Sequence, residues 1–79
     1  MLQIGCPRGK ILRAVIDGQT IDGVTFQVTK VEGLNSFVTH DAASDGDAKK
    51  VIKKVLAANE DLKATFTSIM VVDENGRLV

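Results

Sequence analysis

Tryptophan and tyrosine are absent from the sequence, and only Phe26, Phe37 and Phe66 carry aromatic rings. The core must therefore be built from Val, Ile, Leu and Ala, and a surface that stacks exposed bases or sugars has little to work with. Cys6 is the only cysteine, which excludes an internal disulfide and fits a reducing compartment, so a cytoplasmic location is expected. Charge of one sign is also lacking. Ten Lys and Arg balance ten Asp and Glu, and the net charge points to no class of partner. No apolar run approaches the roughly 20 residues of a membrane span, and residues 1–10 lack the apolar centre of a signal peptide, so no membrane association is expected.

What remains is ordinary globular composition, 44% apolar and 25% charged, in a chain short enough to form one domain over residues 1–79. A chain of this length buries only about 60 to 65 per cent of its unfolded surface. Added stability from a second copy or a protein partner is therefore expected.

Residues 44–59, SDGDAKKVIKKVLAAN, have the clearest local shape. Ala48, Val51, Ile52, Val55 and Leu56 recur at three- and four-residue intervals and form one apolar stripe, while Lys49, Lys50, Lys53 and Lys54 lie opposite; the period predicts an amphipathic helix. Ser44 or Asp45 suits its N-cap and Asn59 its end. Asp45 and Asp47 complement the positive pole of the helix dipole, whereas Lys49 and Lys50 come early for cations.

The rest reads as β-structure covering that stripe. Residues 1–4 suit a short strand broken by Gly5, Pro7 and Gly9, so residues 1–10 are expected to be the loosest part of the chain. Residues 11–17 are apolar but for Arg13 before Asp17, which predicts a central strand. The Asp17-Gly18 and Asp22-Gly23 pairs supply turns to a hairpin partner over residues 24–31. In that partner Val24, Phe26 and Val28 alternate with Thr25, Gln27 and Thr29, then the phase slips at Lys30, which calls for a bulge or strand end there. A turn at residues 32–35 leads to a third strand at 36–40. Glu60 to Lys63 reads as a polar connection, residues 64–73 as another central strand, and Asn75-Gly76 as a type I′ turn pairing Glu74 with Arg77 and Val72 with Val79. The expected fold is α+β: a mainly antiparallel sheet of about four to five strands, ordered β-β-β-α-β-β, with one amphipathic helix on one face. Its predicted core joins Val51, Ile52, Val55 and Leu56 to Val15, Phe26, Val28, Phe66 and Met70.

Several groupings invite a chemical reading. Lys49, Lys50, Lys53 and Lys54 on one helical face could track phosphates, but a solvated helix face is the favoured account, since Lys is a good helix former, the chain has no basic excess, and Asp41, Asp45 and Asp47 stand just upstream. Strands followed by a Lys-rich helix resemble the second half of a double-stranded-RNA-binding domain, in which lysines at the start of the last helix meet phosphates. The resemblance spans residues 24–58; the upstream helix and the Gly-rich run of that family are not evident, and strands follow where the family ends. Cys6-Pro7-Arg8-Gly9-Lys10 sets a thiol beside two cations, but no base or helix start is evident behind it, and a basic turn is the expectation. His40 is the single histidine. With Asp41 it makes the one His–acid pair, but a zinc site needs three or four ligands, so His40 is expected to end its strand at the surface. The three aspartates lack the downstream Glu of a calcium loop, and helix capping explains them. No catalytic residues, metal or other cofactor are therefore expected. The function expected is that of a small protein-interaction or oligomerisation module without catalytic activity, acting as a homodimer or with a protein partner; the alternative is nucleic-acid binding through the four lysines.

Overall fold

The computed structural model describes residues 1–79 as one antiparallel sheet of five strands with helices packed on it. The elements are β1 (Leu2–Gly5), α1 (Gly9–Ile16), β2 (Thr20–Ile21), β3 (Val24–Glu32), β4 (Asn35–His40), α2 (Asp45–Ala58), α3 (Glu60–Lys63) and β5 (Ser68–Val71). The strand order is β2-β3-β4-β1-β5, and every neighbouring pair runs antiparallel. The α+β class and the mainly antiparallel sheet thus match the sequence reading.

The longest helix forms where its period places it. Ser44 caps α2 by accepting a hydrogen bond at Oγ from the Asp47 backbone N–H (3.1 Å), and Ala48, Val51, Ile52 and Val55 are its buried residues. Leu56 lies half-buried at the margin of the same stripe. Asn59 ends α2 and starts α3, its Oδ1 accepting from the Asp61 N–H (2.9 Å). The segment read as a polar connection is therefore a short helix, and it drives Leu62 into the core at 1% exposure.

Residues 11–17 form a helix instead of the expected central strand. Ile11 with Val15, and Leu12 with Ile16, sit four residues apart, and Leu12 and Ile16 are fully buried. That spacing puts all four on one helical face, and a run this short is ambiguous between the two periods until it is packed. The helix stops at Asp17, and Gly18 follows at φ +69°, the left-handed conformation that commonly ends helices. Asp17-Gly18 is thus a helix terminus, and the hairpin turn is Asp22-Gly23, where both residues have positive φ (50° and 79°), as a type I′ turn requires.

The short strand expected at residues 1–4, in a stretch expected to be loosely ordered, forms as β1 and is paired on both sides. β1 lies between β4 and β5, with Leu2 opposite Val38 and Val71 and Ile4 opposite Ser36 and Ile69. Leu2 and Ile4 are fully buried, so apolar burial overrides the loosening effect of a chain end. The β3–β4 register shifts between Val28 and Lys30, which is the bulge that the slipped alternation calls for. β5 is shorter than expected and lies at the sheet edge, and its parity is the reverse of the expected one. Ile69 and Val71 oppose Ile4 and Leu2 and pack on the core, Met70 opposes Gln3 on the other face, and Phe66 precedes the strand at 88% exposure. The C-terminal turn is wider than a two-residue loop. Asp73 Oδ1 accepts from the N–H groups of Asn75 and Arg77 (both 2.9 Å), and Val72 bridges Leu78 where Val79 was expected.

The helices and one face of the sheet share one core, in which Phe26 is the largest fully buried side chain. Truncating Ile52 or Leu12, both fully buried, to Ala should each cost about 2 to 5 kcal/mol in denaturant unfolding. Ala14→Pro should cost about 3 kcal/mol or more, because Ala14 is exposed in α1 and the change removes a helical hydrogen bond without disturbing packing. A near-neutral Ala14→Pro would contradict the helix over Gly9–Ile16.

Candidate functional site

The four lysines of α2 do not form a uniform free face. Lys50, Lys53 and Lys54 are exposed and Lys49 is half-buried, while Lys54 Nζ reaches Asp22 Oδ2 (3.3 Å) in the β2–β3 turn. At the start of the helix the surroundings are acidic. The structure also supplies a helix ahead of three strands, so α1-β2-β3-β4-α2 reproduces the helix–three strands–helix order that the sequence alone left incomplete. β2 is only two residues long, however, and β1 and β5 extend the sheet beyond β4.

His40 and Cys6 lie at opposite ends of the sheet. His40 closes β4 opposite Phe26, whereas Cys6 follows Gly5, which pairs with Asn35 at the other end of the same strand. The four-residue length of β1 separates them by roughly 13 Å or more, so no thiol–imidazole pair exists. Cys6 is fully buried in the core cluster, and its sulfur accepts a hydrogen bond from Thr67 Oγ1 (3.6 Å).

The histidine was expected to end a strand at the surface beside Asp41. Its side chain is instead only 8% exposed and is paired with Asp45. His40 Nδ1 accepts from the Ala42 N–H (3.1 Å), so in the neutral ring Nε2 carries the hydrogen and donates to Asp45 Oδ1 (2.6 Å). The same carboxylate oxygen accepts from the Met1 ammonium (2.9 Å). Asp41 serves a separate role, accepting from the Thr25 N–H (2.7 Å). The hydrogen bond from His40, and then that from the Met1 ammonium, hold the Asp45 carboxyl below its ordinary range. This is a structural clasp between the start of β1, the end of β4 and the start of α2. No group of three or more His, Cys, Asp and Glu side chains converges to hold a metal.

The opposite end of the sheet is shaped differently. Directly behind Cys6-Pro7-Arg8 a helix does begin, which the sequence did not reveal. Arg8 stands at the N-cap with no side-chain capping bond, and the first turn contains no acid. Arg13 folds back along α1, so that a Cβ on Gly9 would sit 2.8 Å from Arg13 Nη1. The same Nη1 donates to the buried Ser36 Oγ (3.3 Å). Arg8, Lys10 and Arg13 line a cleft of about 390 Å³ that the β3–β4 turn closes with Gly33 and Leu34. A second cleft of about 490 Å³ adjoins it, shares Pro7, Gly33 and Leu34 with it, and extends to Phe66. Leu34 is 60% exposed and Phe66 88%.

Sequence reasoning placed Phe66 in the core and passed over Leu34 and Arg13. A local signal was available for Leu34, which occupies a turn between Gly33 and Asn35; Phe66, alternating with Thr65 and Thr67, carried none. Comparison with protein-family models, with curated proteins and with solved structures found no match for the chain.

The Asp45 clasp has a pH signature. A folded-state pKa below the unfolded one contributes stability that is present above the unfolded value and lost as pH falls through the folded one. Wild type should therefore exceed Asp45→Asn in unfolding free energy at neutral pH, and the gap should close as pH falls below about 4. Denaturant melts of both proteins at stepped pH measure it, and a gap independent of pH would show that the carboxylate charge contributes nothing.

Proposed function

We propose that the domain is a protein-interaction module without catalytic activity, and that it works through the end of the sheet built from the Cys6–Lys10 loop, the β3–β4 turn and the segment around Phe66. The observation that carries this reading is the pairing of two large exposed apolar side chains, Phe66 and Leu34, around adjoining clefts. A single exposed apolar residue is unremarkable, but exposed apolar surface gathered at a concavity characterises interaction sites. Aromatic side chains in such positions are the usual anchors of binding energy. The separation of Cys6 from His40 supports the non-catalytic part of the proposal, since nucleophilic chemistry needs a base within hydrogen-bond reach. A cytoplasmic setting goes with the reading, supported by the lone cysteine.

A second copy of the chain is one form of the same proposal, because β5 is an edge strand whose outer side is covered at Val71 by the Val79 N–H (3.2 Å), leaving the edge beside Phe66 available for strand pairing. Light scattering on wild type and Phe66→Ser/Leu34→Ser at high micromolar concentration tests it together with thermal melts. The double variant should melt as wild type does and should lose any self-association that wild type shows. A large drop in its melting temperature would overturn the proposal, since the two side chains would then serve the fold.

Nucleic-acid binding is the second reading, favoured by exposed Lys50 and Lys53, neither of which is ion-paired, and by the completed helix–three strands–helix order. Against it stand the Lys54–Asp22 pair, the acidic start of α2 and the balanced charge. Changing Lys49, Lys50, Lys53 and Lys54 to Gln should leave the fold intact, because exposed charges contribute little singly and like charges four residues apart repel. Duplex RNA binding by wild type that weakens steeply with salt, and that the four-Gln variant lacks, would establish this reading over the first.

A further inference from the structure

The two clefts differ in character, and the difference specifies a partner. One is walled by Arg8, Lys10 and Arg13, none of which has a carboxylate partner among the ion pairs of the fold. In a chain with equal numbers of acids and bases, three unpaired cations around one concavity leave a local positive field. The nearest acid in the adjoining cleft, Glu32, is already engaged by Lys30 at 2.6 Å. The second cleft ends on Phe66, and Leu34 forms the wall common to both. Arg13 is held at its cleft by the hydrogen bond to Ser36 and by the absence of a side chain on Gly9, so one cation is fixed in place while Arg8 and Lys10 remain exposed.

From this juxtaposition we infer that the occupant is a segment of another protein in which an apolar side chain stands next to Asp or Glu: the apolar residue packs between Leu34 and Phe66, and the acid meets Arg8, Lys10 and Arg13. The inference rests on the interaction-module reading and adds the chemistry of the partner. Arg presents a fork of donors that matches a carboxylate in two places, and complementary charge beside an apolar anchor sets register as well as attraction. Nucleic acid fits the pair of clefts less well, because Phe66 is the single exposed aromatic ring and gives successive bases no further platform. An anionic membrane surface is held by a broad apolar face, whereas these clefts expose two large apolar side chains, Leu34 and Phe66.

Panning a displayed library of random dodecapeptides on the full chain tests the inference. Enriched peptides should combine Asp or Glu with a neighbouring Leu, Ile or Phe. Fluorescence anisotropy on one synthesised enriched peptide should then show binding that falls about tenfold or more in Arg8→Gln/Lys10→Gln, weakens with salt in wild type, and is lost in Phe66→Ser. Both substitutions are at exposed positions, and circular dichroism should confirm that each variant folds. Enrichment without acidic residues, or binding lost in Phe66→Ser but unchanged in Arg8→Gln/Lys10→Gln, would overturn the acidic partner while leaving the interaction module standing. An absence of any Phe66-dependent peptide would overturn both. Displacement of the peptide by duplex RNA or by phosphatidylserine vesicles, or a wild-type dimer that occludes the peptide, would assign the clefts to that other occupant and overturn the inference.

Discussion

The fold depends on an amino-terminal strand inserted between two strands that come much later in the chain. β1 completes the sheet between β4 and β5, and its two inward residues, Leu2 and Ile4, meet Val38, Val71 and Ile69 on the core side. Both ends of the molecule follow from that insertion. At one end it brings Met1 to the carboxylate that also holds His40; at the other it delivers the Cys6–Lys10 loop against Gly33 and Leu34, where the Cys6 N–H donates to the Leu34 carbonyl (2.9 Å).

The two ends are consequently different kinds of surface. Around Asp45 the polar groups satisfy one another and nothing reactive is left over, so the local chemistry is consumed in joining elements. Beside Leu34, three cations without a carboxylate partner line one cleft, and exposed apolar side chains border the next. The sheet lies between, and with His40 and Cys6 at opposite ends it keeps the two candidate reactive side chains apart.

Legibility in the sequence followed length and periodicity. α2 could be read because four turns repeat one apolar stripe under an N-cap, and β3 because its alternation slips at the bulged residue. α1 could not, since Ile11, Leu12, Ala14, Val15 and Ile16 make a run too short to separate the helical period from a buried strand, and β-branched residues favour the strand reading locally. β1 could be read as a short strand, but Gly5, Pro7 and its place early in the chain hid its interior position, which only the pairing with Val38 and Val71 reveals. Phe66 was misassigned because its parity was counted within a strand that begins two residues later. The cationic cleft was half legible: Arg8 and Lys10 are two residues apart in sequence, but the approach of Leu34 is a tertiary fact.

The Leu2–Val71 pairing joins two residues separated by nearly the whole chain. Closing so long a loop carries an entropic cost that this pairing must meet before its contacts repay it, unlike the local β3–β4 hairpin. On a ribosome β1 emerges before either of its sheet neighbours, and β5 follows only after every other element of this sheet and its helices. For that interval Leu2 and Ile4 belong to an uncovered apolar segment with both of its edges open. A strand interior to the finished sheet is therefore an aggregation-exposed part of the nascent chain.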